Sequence, residues 1–155
     1  MPMLFTLKGF MQNIFYLSLC LAYTMYAQAS AADVFVAVNK SNTSLINEQG
    51  VLKILKAEKL TWEDGKSVVL LIDKLDKTDS QAFDEVTSMS KSQFMEYWRI
   101  KFFSGRALIP KQIKSAASAL SILSENKNGI YISIGKELGK ELTGSQDLRI
   151  ISLKY

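Results

Sequence analysis

Apolar residues recur along this chain with two different periods. Around positions 92–106 the period is helical: Phe94, Trp98 and Phe102 fall at i, i+4 and i+8. Met95 and Ile100 widen that face, and Gln93, Glu96, Arg99 and Lys101 supply polar positions around it. Ser90 with Gln93 forms an S-x-x-Q capping box, and Gly105 is a stop signal. A buried aromatic side chain contributes roughly 2–3 kcal/mol. This helix is therefore expected to anchor the core, leaving Tyr97 and Arg106 as the residues able to do more.

On either side of it the pattern alternates between strands and helices. A β-branched run at 33–38 predicts a strand, followed by a polar loop at 39–44. A helix over about 47–56 would bury Val51, Leu52, Ile54 and Leu55. Residues 61–65 carry turn chemistry with an Asp-Gly pair, and 67–72 form a continuous apolar run suited to a strand covered on both faces. Thr78-x-x-Gln81 opens a helix to about Met89, burying Ala82, Phe83 and Val86. Past a connection at 106–110, a helix is expected over 111–125 with Ile113, Ala117, Leu120 and Leu123 at helical spacing. A strand at 130–134, a polar tail at 136–144 and a last strand at 148–153 complete the chain. This order predicts an α/β fold, a small mixed sheet with helices on both faces.

The first thirty residues read differently. Lys8 is the only charge before Asp33, residues 14–25 form an apolar stretch, and Ala27-Gln28-Ala29 is an A-x-A cleavage site with Ala29-Ser30-Ala31 as a second. Leu17-Ser18-Leu19-Cys20 resembles a lipoprotein box, but Leu19 stands where a small residue is needed. The expectation is a cleavable signal peptide over residues 1–29, cut after Ala29 or Ala31, a single domain over 30–155, and a periplasmic location. Cleavage would remove Cys20, the only cysteine, so an oxidising compartment would impose nothing on the fold.

Composition narrows the chemistry. The chain has 155 residues, 48% of them hydrophobic and 22% charged, with a formal net charge of +4. Its basic residues are scattered rather than gathered into a stripe, which argues against nucleic acid as a partner. There is no histidine. That leaves no zinc site of Cys and His, no Ser-His-Asp triad and no Cys-His dyad. No catalytic residue, metal ligand or cofactor is assigned, and an enzyme ranks behind two binding functions. Glu58, Glu63 and Asp64, and the pair Glu137 and Glu141, lie in polar segments and read as solvated faces.

Two motifs carry a family resemblance. Thr61-Trp62-x-Asp64-Gly65 and Tyr97-Trp98-x(4)-Phe103-x-Gly105-Arg106, with Asn128-Gly129-Ile130-Tyr131 after them, resemble the small single-domain relatives of phosphate-binding proteins of ABC transporters. The resemblance covers about residues 34–134. It implies one domain of the type II periplasmic binding protein fold, phosphate or a similar oxyanion as ligand, and a membrane transporter or envelope protein as partner. Where full-length members read close to Arg-x-x-Gly-Ser-Gly-Thr, this chain has Lys74-Leu75-Asp76-Lys77-Thr78-Asp79-Ser80. Ile130-Tyr131 likewise lacks the glycine usual in that segment.

An oxyanion site needs backbone N–H groups at a helix N-terminus together with hydroxyls or a cation. Ser41, Thr43 and Ser44 after the first strand, Thr78, Asp79 and Ser80 at the next helix start, and Arg106 past the central helix are the candidates. Their expected arrangement places the anion between the 41–44 loop and the 78–80 helix start, both following strands. Ser44 and Thr78 would equally serve as plain N-caps, worth about 1 kcal/mol each. Two functions follow: an exported oxyanion-binding protein, or the same scaffold acting as an envelope protein-interaction module without a small ligand.

Overall fold

The computed structural model describes residues 32–74, 80–135 and 138–155. They form β1 (Asp33–Asn39), α1 (Glu48–Leu55), β2 (Val69–Asp73), α2 (Ser80–Thr87), α3 (Lys91–Phe103), β3 (Lys111–Ile113), α4 (Ala116–Glu125), β4 (Gly129–Ile134), α5 (Lys140–Thr143) and β5 (Leu148–Lys154). The strands make one sheet in the order β3-β2-β4-β1-β5. β2 is parallel to β3 and β4, whereas β1 is antiparallel to both of its neighbours, β4 and β5. The mixed α/β architecture expected from the sequence is present. The expected targeting segment, residues 1–29, lies outside the described residues.

The sheet is buried on both faces, and side-chain alternation sorts the core accordingly. Val34, Val36 and Val38 of β1, Leu70 and Ile72 of β2, and Ile130, Ile132 and Ile134 of β4 share one core cluster with α1, α2 and α3. Ala37, Leu71 and Tyr131, one residue out of step, pack on the other side with Ala119 and Leu123 of α4 and Leu142 of α5. Every residue of β4 is buried, as befits the middle strand.

The central helix has the predicted start. Ser90 accepts from the Gln93 backbone N–H while the Gln93 side chain accepts from the Ser90 N–H, closing the capping box. Phe94 meets Phe83 of α2 edge-on at 5.1 Å, and the Trp98 ring lies 6.1 Å from Phe94. Trp98 Nε1 donates to the Leu55 carbonyl at 3.1 Å and Tyr97 Oη to the Lys56 carbonyl at 2.8 Å, so both residues tie α3 to the end of α1. The row of rings stops there. Phe102 is 42% and Ile100 60% exposed, because the last turn of α3 extends beyond the core that Phe94 and Trp98 fill. Gly105, at φ +69°, turns the chain back in a conformation that glycine adopts at little cost.

The stretch after Pro110 corrects the expected 111–125 helix. Residues Lys111–Ile113 are a short edge strand beside β2, and the helix begins only at Ala116, capped by the Ser115 side chain. Ile113 is thus a strand residue, and Ala117 is exposed rather than inward-facing.

Candidate functional site

The loop after β1 is folded on its own side chains. Asn39 is buried, and its amide donates to the Leu123 carbonyl at 3.0 Å. Its Oδ1 accepts from the Ser41 N–H at 2.9 Å and the Ser41 hydroxyl at 2.6 Å. Asn42 repeats the device, its Oδ1 accepting from the Ser44 N–H at 3.0 Å. Arg149 of β5 donates to the Ser44 carbonyl at 2.7 Å. The cap of α1 is Asn47, not Ser44: the Asn47 side chain accepts from the Gly50 N–H at 2.8 Å.

This loop borders a polar cleft of about 410 Å³, lined also by Trp62, Glu63, Asp64, Lys66 and Asn128. Trp62 is buried and donates from Nε1 to the Asn128 carbonyl at 2.9 Å, so it joins the turns at 61–66 and 126–129 rather than offering a free ring. Glu63 pairs with Lys59 at 2.7 Å and Asp64 with Lys66 at 2.9 Å. Hydrogen bonds from Lys59 and the Ser44 side chain hold the Glu63 carboxyl down at about 2, and Lys66 lowers Asp64. Both carboxylates stay charged at any physiological pH. Each carboxylate is matched by a lysine and Lys127 also lines the cleft, but the loop N–H groups at Ser41 and Ser44 are already engaged, which removes two backbone donors that an anion would use.

The opposite end of the sheet is built differently. β2 and β4 run parallel with Leu71 beside Tyr131, so both strands finish there. The Asp73 carboxylate ends β2 and accepts two hydroxyl hydrogen bonds, from Tyr131 Oη on Oδ1 and from Ser133 Oγ at 2.7 Å on Oδ2. Helix α2 starts at this end, with no acidic residue in its first turn. It lies so close to β4 that a Cβ on Gly135 would come within 3.1 Å of the Ala82 Cβ. Burial, and then the hydrogen bond to Asp73, push the Tyr131 phenol well above its ordinary range. Sequence reading passed over this trio. A signal was available: Asp73 is the polar residue closing an apolar strand, and Tyr131 and Ser133 share its parity in the neighbouring parallel strand.

The expected joint site therefore does not form. Ser41, Thr43 and Ser44 line the cleft at the end where β1 finishes, and Ser80 opens α2 at the end where β2 finishes. Because β1 is antiparallel, those are opposite ends of the sheet, roughly 15–20 Å apart for strands of this length. Thr78 and Asp79 lie outside the described residues, and nothing is described of the Ser80 side chain. Arg106 joins neither group. It is exposed and borders a shallow depression of about 130 Å³ with Leu60, Ser67, Val68 and Leu108. Among the described residues no group of three or more Asp, Glu, Cys or His could hold a metal.

No family model matches the chain, and no curated protein matches it. Among solved structures, an ABC-type phosphate transport receptor from Vibrio cholerae superposes with a TM-score of 0.53 at 11% identity, over 78% of this chain and 46% of its own. A phosphate ABC transporter substrate-binding protein from Clostridium perfringens, solved with bound phosphate, gives a TM-score of 0.45 at 13% identity, over 81% of this chain and 56% of its own. The chain thus spans about half the length of these proteins. What it shares with the Vibrio receptor is the fold, and that fold is periplasmic-binding-protein-like.

Proposed function

We propose that this domain is an exported oxyanion-binding protein that takes phosphate where β2 and β4 end and α2 begins. The carrying observation is the start of α2 at the C-terminal end of β2, packed against Gly135, with no carboxylate in its first turn. The first N–H groups of a helix lack partners within it, and the helix dipole concentrates partial positive charge there. Thr78 and Ser80 add hydroxyls in sequence and Lys74 and Lys77 positive charge, while Asp76 and Asp79 oppose a multiply charged anion and suit the monohydrogen form, whose proton a carboxylate can accept. Likeness to a phosphate transport receptor supports the ligand class. A transporter in the membrane is the corresponding partner, and the role is binding rather than catalysis.

Affinity should be modest. The described residues include no opposing lobe to close over the anion, and the Asp73 oxygens are already held by Tyr131 and Ser133. A Kd of about 1 mM, corresponding to about 4 kcal/mol, is the expected scale. Titration calorimetry of the purified chain with phosphate and sulfate tests this. Thr78→Ala should weaken phosphate binding by about 1–2 kcal/mol, the worth of one hydrogen bond to a charged group. Ser41→Ala should leave it unchanged. Absence of heat at millimolar phosphate, or a loss of binding in Ser41→Ala alone, would refute the assignment.

A further inference from the structure

The end of α3 and the connection to β3 carry an unusual surface. Ile100 is 60%, Phe103 78%, Leu108 49% and Ile109 41% exposed, alongside the half-exposed Phe102, whose ring lies 5.6 Å from that of Phe103. Five large apolar side chains exposed within ten consecutive residues exceed the single scattered ones that a surface ordinarily carries. Past Glu96 the charge along this segment is one-signed. From Tyr97 to Ser124 the sequence has no acidic residue, while Arg99, Lys101, Arg106, Lys111 and Lys114 all fall within that span. Arg99 pairs with Glu96 at 2.7 Å, and Lys101 stands over the Tyr97 ring at 5.1 Å. Arg106, Lys111 and Lys114 are exposed and in no ion pair among the described residues.

We infer that this surface docks the domain on an anionic lipid bilayer, with Phe102, Phe103, Leu108 and Ile109 entering the interfacial layer and Arg106, Lys111 and Lys114 meeting lipid headgroups. Apolar side chains interleaved with long cations suit a soft boundary. Rings and aliphatic groups dip below the headgroups while Lys and Arg keep their charges at headgroup level. The depression at Arg106 beside the patch holds about 130 Å³, little room for an anchor residue of a protein partner along with its surroundings. Among the described residues no helix is long and apolar enough to cross a membrane.

Co-sedimentation of the purified chain with vesicles of phosphatidylglycerol and phosphatidylcholine, or of phosphatidylcholine alone, tests the assignment. Binding is expected on the anionic vesicles and should fall steeply with added salt, because headgroup attraction is screened. Phe103→Ser and Arg106→Glu/Lys111→Glu should each weaken it about tenfold or more, with the unfolding midpoint little changed since all three side chains are exposed. Lys140→Glu, a charge reversal on α5 across the sheet, should bind like the parent. Absence of binding to anionic vesicles would overturn the inference, as would equal binding by parent and patch variants, or equal loss in Lys140→Glu. Capture by soluble polyglutamate but not by vesicles would also overturn it and assign the patch to an acidic protein.

Discussion

Trp98 fills the space between α3, Phe94 and the end of α1, is 3% exposed, and spends its one N–H on the Leu55 carbonyl. Truncation to Ala removes the ring and takes the donor from the Leu55 carbonyl, so the loss is transfer and cavity energy together with one hydrogen bond. Trp98→Ala should cost about 3–5 kcal/mol, read as a drop in the denaturant midpoint at unchanged slope. Tyr131 is a different case, since its phenol is buried against Asp73 and its pKa is raised. A folded-state pKa above the unfolded value means that the native protein holds this proton more tightly. The stabilisation is complete below the unfolded pKa of 10 and is lost as pH rises past it. Tyr155, half-buried and near Glu48 and pushed up to about 12, acts in the same direction. Stability should therefore decline between about pH 9 and pH 12. Tyr131→Phe should flatten that decline while lowering neutral-pH stability by about 1–3 kcal/mol, because Asp73 loses a donor. An unchanged alkaline slope in Tyr131→Phe would contradict the assignment.

Helix α3 shows what a sequence can specify at the scale of an element. Its cap is a local device, two side chains reaching three residues, so Ser90 and Gln93 announce it without knowledge of the fold. Ser90→Ala should cost about 1 kcal/mol in the same denaturant assay, with Phe94 and Trp98 still packed. The helical spacing of Phe94, Trp98 and Phe102 was equally legible, but where the neighbouring layer ends is a tertiary fact, and Phe102 falls past it. β3 was missed for a related reason: three residues with only Ile113 buried carry no period to detect. The largest error concerned direction. Alternation identifies β1 as a strand but says nothing of its polarity, and an antiparallel β1 sends the 41–44 loop and α2 to opposite ends of the sheet. Asp73, Tyr131 and Ser133 become neighbours only once β2 and β4 are paired.

For the molecule as a whole, the two proposed surfaces belong to different elements: the start of α2 for an anion, and the tip of α3 for a membrane. Export remains a separate expectation from the sequence, and protein recovered from the periplasmic fraction should have an intact mass beginning at Ser30 or Ala32. A mass retaining residues 1–29, or a lipid on Cys20, would contradict it. The oxyanion reading has one decisive measurement, a phosphate titration followed residue by residue in amide NMR spectra of the purified chain. Saturable shifts at millimolar phosphate should concentrate at residues 74–82 and 133–135, with the 41–45 and 61–66 segments unmoved. Shifts confined to those last two segments, or none at any residue, would contradict phosphate binding at the start of α2.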